Sequence, residues 1–194
     1  MKKPDVWMIA ISGNSISMHY RNLVVDSWRH FGHAVNHFEA VTPEDLKLEQ
    51  YQFLPIKKKH SNRTNKDVEF TETEIAVWYS HYHTWKLCFE IDEPIIVVEH
   101  DIQLLKEIKS EVYNYDVACL AHVLRKTQIA KLGGGAYHIT PKGARALLRI
   151  RHDKAIVKNS DAWIHNRCDK MGKWFHDHSI QIKDDDIGVT VFHN

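Results

Sequence analysis

The sequence predicts a single α/β domain, residues 1–194, in which helices flank a mostly parallel central sheet. Three observations predict this class. A buried-strand pattern opens the chain and a helical pattern follows it; the longest helical pattern, residues 71–90, leads into a continuous apolar run at residues 94–98; and strand and helix patterns alternate again beyond residue 116. Such alternation is typical of a mostly parallel sheet, whose ligands bind beyond the carboxyl ends of its strands.

The first elements form a strand-then-helix unit. Residues 6–11 are an apolar run that ends in a polar turn, which indicates a buried strand. Apolar residues recur at helical spacing from Ser17 onward, and Gly32 stands where a helix terminator is expected. Residues 35–41 are a second strand candidate. Residues 42–45 then resemble a helix start with proline in the first turn.

The middle of the chain contains the features that organise the predicted site. Residues 57–66 are polar, basic and without period, so we expect a mobile loop there. Residues 71–90 have a wide aromatic face, which predicts a largely buried helix. The apolar run at residues 94–98 predicts a central strand covered on both faces, and it stops at the charged residues 99–101. These charges therefore fall at the carboxyl end of that strand.

Two strands and a helix complete the predicted sheet. Residues 116–123 and residues 136–140 are strand candidates, and the second of them follows a triplet of glycines. Residues 141–150 are a helix candidate that begins with proline and has Thr140 as its cap.

The amino-acid composition argues against some classes of function. With 26 basic and 25 acidic side chains the formal net charge is +1, so the chain lacks the global positive field that dominates binding to nucleic acids and membrane surfaces. The apolar stretch near the basic start is too short for a signal peptide or a membrane span, so we expect a cytoplasmic protein without a transmembrane segment. The three cysteines are widely spaced and indicate buried thiols, and the 15 histidines form no recognisable metal motif.

The charged strand end is the first candidate for chemistry. Glu99 and Asp101 lie two residues apart, and such residues point to the same side of a strand, so both carboxylates could face one ion while His100 points away or moves with the turn. Oxygen ligands suit Mg²⁺ or Mn²⁺, either of which can bridge substrate phosphates. A merely solvated strand end is the alternative interpretation.

Further motifs occur in order around this strand end. They are Arg21 on the first helix, Phe38-Glu39-Ala40-Val41, Glu74 with Ser80-His81 and Trp85 on the long helix, residues 95–101, and the late segment Gly134-Gly135-Ala136-Tyr137-His138-Ile139-Thr140. This series, which spans residues 6–164, resembles glycosyltransferase family 25, the lipopolysaccharide-type and procollagen-type galactosyltransferase family.

The resemblance implies a GT-A fold, which is related to the Rossmann fold, and a nucleotide-sugar-dependent glycosyltransferase. It implies transfer of a hexose such as galactose or glucose, with inversion, from a UDP-sugar to a glycan, a lipopolysaccharide or another hydroxyl acceptor. Mn²⁺ or Mg²⁺ at Glu99 and Asp101 would bridge the donor diphosphate. The family's Glu-Asp-Asp motif is Glu-His-Asp here. Either the outer carboxylates suffice to bind the ion, or metal binding has weakened or the metal has changed.

The resemblance also suggests roles for individual residues. The catalytic candidates are Asp101 and Asp161, with Asp161 as the base of an inverting mechanism; the helix dipole alone would equally favour an aspartate after the cap Ser160. The candidates for donor or substrate binding are Arg21, Glu74, Ser80, His81, Gly134, Gly135 and Tyr137. Within this set, the seven-residue spacing of Glu74 and His81 allows them either to meet one ligand or to form a buried polar pair.

Two other functions could use the same sequence features. A metal-dependent nucleotide hydrolase or phosphotransferase would use Glu99 and Asp101 with water in place of the sugar acceptor. A nucleic-acid-binding module, or an enzyme that glycosylates a hydroxylated base in DNA, would use the basic residues 57–66 to hold phosphate. Product analysis separates these functions from sugar transfer to a glycan.

Overall fold

The computed structural model describes residues 3–51, 59–61, 66–120, 123–125, 128–130, 135–149, 163–164 and 180–182. The strands in this part of the chain are β1 (Asp5–Ala10), β2 (Val35–Glu39), β3 (Lys59–Ser61), β4 (Lys66–Val68), β5 (Ile95–Glu99), β6 (Ile102–Leu104), β7 (Val117–Cys119), β8 (Val123–Arg125), β9 (Gln128–Ala130), β10 (Ala136–Ile139) and β11 (Ile180–Ile182). The α-helices are α1 (Ser15–His30), α2 (Glu72–Ile91) and α3 (Pro141–Leu148).

The central sheet has five strands in the order β2-β1-β5-β10-β7. β1 pairs in parallel with β2 and with β5, whereas β10 runs antiparallel to both of its neighbours, β5 and β7. Four of the five strands therefore point the same way, as the sequence predicts. Their carboxyl ends meet at one edge of the sheet, and Glu99, the last residue of β5, lies at that edge beside Ile9 of β1.

The reversed direction of β10 follows from the connection that leads into it. A parallel neighbour needs a crossover, which is usually a helix. The described residues between β7 and β10 instead form the antiparallel pair β8 and β9. The chain therefore returns beside β7 in the opposite direction, and it places Tyr137 next to Val97 of β5.

Apolar side chains cover both faces of the sheet, which makes a three-layer sandwich. Along β5, Ile96 and Val98 face the cluster that includes Trp28 of α1, and Ile95 and Val97 face the cluster that includes residues of α2. The largest side chains of these layers are less than 2% exposed: Trp28, Trp78, Trp85, Tyr79 and Tyr137. Truncation of one such aromatic side chain to alanine typically costs about 3–5 kcal/mol, so the two layers hold the sheet and its edge in place.

Local sequence signals place the helices. The Asn14 side chain caps α1 by accepting the Ser17 N–H, and Gly32 follows the helix with a φ of 80°. Thr71 and Glu74 form a capping box at the start of α2, and Thr140 caps α3 as predicted. Each of these side chains satisfies backbone groups that a helix end leaves unpaired.

Two predicted elements differ in the structure. The helix expected from residues 42–45 is only a 3₁₀ turn, Asp45–Lys47, because the backbone turns to an extended conformation at Leu48, with φ −75° and ψ 140°. The strand expected at residues 116–123 is shorter and ends at Cys119. Of the expected loop at residues 57–66, the described residues 59–61 pair with β4.

No helix in the described ranges combines the length and the apolar character that a membrane span requires.

Candidate functional site

Glu99 and Asp101 lie at the carboxyl end of β5, and His100 separates them in the sequence. β5 ends at Glu99, a turn occupies residues 100 and 101, and β6 begins at Ile102. The turn, rather than strand alternation, therefore brings Asp101 beside Glu99. α1 holds the far side of this turn, because the Trp28 indole donates to the carbonyl oxygen of Ile102 at 2.9 Å.

The two carboxylates differ in their electrostatic surroundings. The Glu99 side chain is 35% exposed. Burial opposes its ionisation, but the hydrogen bond from His81, together with the nearby charge of His100, outweighs burial, so the pKa of Glu99 lies below its usual range. Burial and the negative charge of Glu99 together raise the pKa of Asp101. Within the described residues the buried Oδ1 atom of Asp101 has no hydrogen-bond partner.

This arrangement suits a divalent cation. A buried carboxylate oxygen without a partner costs free energy, and a second carboxylate beside it adds repulsion. A hard cation relieves both. In the described part of the chain no three His, Cys, Asp or Glu side chains assemble into a metal-binding group. Substrate oxygens and water are further ligands that such a cation accepts.

His100 packs against α1. Its ring stacks on that of Tyr20, with centroids 6.4 Å apart and an interplanar angle of 26°. The carboxylates at this strand end are those of Glu99 and Asp101, on either side of His100. A charged His100 ring would still act on both of them, since its charge lowers the pKa of each.

A buried polar chain supports Glu99 from inside the protein. The Nε2 atom of His81 lies 3.3 Å from Glu99 Oε1, and its Nδ1 atom lies 3.0 Å from the Tyr137 hydroxyl. Trp85 donates its indole N–H to the same hydroxyl at 2.8 Å. His81, Trp85 and Tyr137 are each 0% exposed. The predicted residues His81 and Tyr137 thus meet Glu99 in one network, although they lie far apart in the sequence.

Gly135 lies directly beside Glu99. Its carbonyl oxygen accepts the Glu99 N–H at 2.7 Å. A β-carbon added at position 135 would lie 3.5 Å from Glu99 Oε2 and 3.2 Å from the Cδ1 atom of Ile102. The glycine therefore leaves space next to the carboxylate oxygen that His81 does not hold. Gly134 lies outside the described residues.

The structure places the other predicted residues in different surroundings. Arg21 follows Tyr20 on α1 and donates to Asn22 at 3.2 Å; in the described ranges no ion pair joins Arg21 to Glu99 or Asp101. Glu74 accepts the Thr71 N–H at 3.0 Å in the capping box of α2, about 10 Å along the helix axis from His81.

Ser80 connects α2 with the chain after β2. Its hydroxyl accepts the Val41 N–H at 2.9 Å and donates to the Ala76 carbonyl oxygen at 3.0 Å. Asp161, the predicted base, lies outside the described residues. Two residues later, Trp163 is buried and packs against Trp78 of α2, with ring centroids 6.0 Å apart.

Two residues with contacts at this edge, Trp85 and Glu39, belong to the ordered motifs in the sequence but are not among the predicted site residues. Trp85 holds the Tyr137 hydroxyl, and only its helical stripe, shared with His81, could have suggested this contact. Glu39, at the end of β2, accepts the Ser12 N–H at 2.9 Å and also contacts the Ser12 hydroxyl and, at 2.9 Å, His37 Nε2. These contacts fasten the turn after β1 to the end of β2, beside the predicted site.

A cavity of about 310 Å³ lies between β2 and α2, with Phe38, Tyr51, His83 and Lys86 among its lining residues. Neither Glu99 nor Asp101 lines it. We therefore take the carboxylate pair at the strand end, rather than this cavity, as the candidate centre for chemistry.

Comparison with known proteins tests the family and the fold that the sequence predicts. The sequence model described as "Glycosyltransferase family 25 (LPS biosynthesis protein)" matches residues 16–131, more than half of the chain. No curated protein matches the sequence.

Two solved structures resemble the fold. One is a mutant of Drosophila β-1,4-galactosyltransferase 7 in complex with manganese, UDP-Gal and xylobiose; it aligns with a TM-score of 0.53 at 8% identity over 93% of this chain and 71% of that chain. This likeness shows a GT-A-type fold. The other, a Bacillus anthracis glucose-1-phosphate thymidylyltransferase in complex with sucrose, has a TM-score of 0.41 at 11% identity over 89% and 67% of the two chains, which is too low to support an argument.

Proposed function

This chain belongs to glycosyltransferase family 25, and on that premise we propose that it transfers a hexose from a UDP-sugar to a hydroxyl group of a glycan. One observation carries the proposal: the buried Oδ1 atom of Asp101, which has no hydrogen-bond partner among the described residues, lies in the turn beside Glu99 at the carboxyl edge of the sheet. Ligands of open α/β sheets bind at that edge.

Glu99 and Asp101 are the residues that would hold a divalent cation, Mn²⁺ or Mg²⁺. When bound there, the cation would neutralise charge on the leaving diphosphate. The fold relative contains manganese and UDP-Gal, which supports this choice of ion and donor for the present chain.

The chain's own residues prepare the site before substrate arrives. The lowered pKa of Glu99 keeps its carboxylate ionised at neutral pH, so no proton has to leave when a cation binds. Gly135 leaves open the space beside Glu99 Oε2. The contact of Ser12 with Glu39 fixes the turn after β1, which borders the same edge.

We further propose Asp161 as the base that accepts the acceptor's hydroxyl proton in an inverting transfer. The support is its position in the chain: Trp163 and Ile164 are buried, and Trp163 packs on the helix that also carries His81. The description of the family names lipopolysaccharide biosynthesis, so a lipopolysaccharide core glycan is the first acceptor to test.

Product analysis tests this function. Purified protein is incubated with each of a panel of UDP-sugars and with lipopolysaccharide core glycans, first in EDTA and then with added Mn²⁺. We expect mass spectrometry to detect one added hexose only after Mn²⁺ is supplied, and NMR of the product to show an inverted anomeric centre. Release of nucleotide without any sugar transfer would favour the metal-dependent hydrolase instead.

A further inference from the structure

The polar chain behind Glu99 consists of side chains that substrate cannot reach. His81, Trp85 and Tyr137 are each 0% exposed, and the chain ends at Glu99, whose side chain is 35% exposed. Hydrogen bonds among buried polar side chains satisfy those groups in any protein core. The bond from His81 to Glu99 differs, because it joins this buried chain to a carboxylate that is partly exposed.

The hydrogen atoms of the chain can be assigned from its donors. The Trp85 indole can only donate, so the Tyr137 oxygen accepts from it. The Thr84 hydroxyl donates to the carbonyl oxygen of His81 at 2.8 Å. The Tyr137 O–H is then directed to His81 Nδ1 at 3.0 Å, the shorter of its remaining contacts. Burial raises the pKa of Tyr137, so this hydroxyl keeps its hydrogen.

The direction of these bonds determines the state of His81. If Nδ1 accepts from Tyr137, the neutral ring carries its hydrogen on Nε2 and donates it to Glu99 Oε1 at 3.3 Å. This bond holds one oxygen of the carboxylate. The other, Oε2, lies over Gly135, on the side that the glycine leaves open.

We infer that His81 and Tyr137 are positioning residues: with Trp85 they form a one-directional hydrogen-bonded chain that orients the Glu99 carboxylate, so that Oε2 faces the cation site. The inference rests on the proposed function, because it gives Glu99 the role of a cation ligand. Neither His81 nor Tyr137 touches the donor in this arrangement. Removal of a residue that orients a metal ligand in this way typically weakens metal binding by about 10-fold to 100-fold.

Two amide variants distinguish a positioning role of His81 from a role in core packing alone. In His81→Gln the amide nitrogen can occupy the place of Nε2 and still donate to Glu99. In His81→Asn the amide reaches only the place of Nδ1. We expect His81→Gln to bind Mn²⁺ within about 3-fold of the wild-type affinity and His81→Asn to bind about 10-fold to 100-fold more weakly, measured by EPR of free Mn²⁺.

Tyr137→Phe provides a second test that removes one oxygen atom with little change in volume. Without the hydroxyl, Nδ1 loses its donor, and the ring can turn a lone pair instead of an N–H toward Glu99. We expect about 10-fold weaker Mn²⁺ binding. Thermal unfolding and circular dichroism establish that each variant is folded. If His81→Asn does not fold, Tyr137→Phe decides the question.

Nitrogen NMR of metal-free protein tests the chain without any cation. We expect the His81 ring to carry its hydrogen on Nε2, with Nδ1 unprotonated. A hydrogen on Nδ1 of the neutral ring, or equal Mn²⁺ affinity in the two amide variants, would overturn the inference, and so would wild-type affinity in Tyr137→Phe. A wild-type protein that binds no Mn²⁺ and transfers no sugar would overturn the proposed function as well, so the two failures are distinguishable.

Discussion

Glu99 and Gly135 meet through both backbone and side chain. The N–H of Glu99 donates to the carbonyl oxygen of Gly135 at 2.7 Å, and Glu99 Oε2 lies 3.5 Å from the point where a β-carbon on residue 135 would stand. The glycine therefore holds the end of β5 and at the same time keeps clear the space that a ligand of Glu99 would enter.

We expect Gly135→Ala to lower both stability and metal-dependent transfer. The new methyl group would lie 3.2 Å from Ile102 Cδ1, which is closer than ordinary van der Waals contact, so Ile102 would have to move, and the methyl group would fill the space beside Glu99 Oε2. Overpacking of this kind costs about 1–3 kcal/mol. Urea unfolding measures the loss. Gly13→Ala is the matched control, because a β-carbon there meets nothing within 4 Å, and equal stability of the two variants would contradict the prediction.

Asp101→Asn should abolish metal-dependent transfer and yet stabilise the metal-free protein. The substitution removes a buried negative charge that faces the charge of Glu99, and relief of such repulsion at a functional site is worth about 1 kcal/mol. Unfolding in EDTA measures the gain. Unfolding with Mn²⁺ should show that the ion stabilises the wild-type protein but not the variant. Full transfer activity in Asp101→Asn would exclude Asp101 from the mechanism.

His138 should make the fold sensitive to acid. Burial lowers the pKa of this ring from 6.5 to about 4, and the opposing effects of the Tyr115 backbone and Asp116 do not restore it. Between these two values the unfolded chain binds more protons than the folded protein, so stability falls as the pH drops from about 6.5 to about 4. The contribution is about 3 kcal/mol.

The variant His138→Leu separates this contribution from those of the other histidines. We expect urea unfolding at neutral pH and near pH 4 to show a smaller acid-induced loss for the variant than for the wild-type protein, because leucine does not titrate. An unchanged loss would show that another group causes the acid sensitivity.

Gly143→Ala should destabilise the protein more than any exposed substitution on α3. An added β-carbon would lie 2.1 Å from the backbone carbonyl oxygen of Asp116 and 2.8 Å from the Val117 Cγ2 atom, so α3 would have to move away from β7. We expect a loss of about 3 kcal/mol or more in unfolding experiments. Arg145→Ala, on the exposed side of the same helix, is the control and should change stability by less than about 0.5 kcal/mol.

The Cys88 thiol should be inert in the folded protein. It is 0% exposed, and burial raises its pKa from 9.0 to about 12. At pH 8 this leaves on the order of 1,000-fold less thiolate than an unperturbed thiol would have. Iodoacetamide labelling, measured by peptide mass spectrometry, should modify Cys88 only after denaturation. Rapid labelling of the native protein would show that α2 opens locally.

The sequence by itself determined the local elements and the class of fold. The apolar run of β5, the caps Thr71 and Thr140, and Gly32 after α1 act through neighbouring residues, so their patterns predict the observed helices and strands directly. The placement of Glu99 at the end of a buried strand follows from the same local pattern.

Only the tertiary structure decided how the site is assembled. Strand direction depends on the path of the connection, so the reversal of β10 is not visible in the pattern of residues 136–140. That reversal places Tyr137 beside His81, 56 residues away in the chain, and the turn after β5 places Asp101 beside Glu99. Contacts between distant residues arise from the packing of the whole sheet against its helices, which no short stretch of sequence encodes.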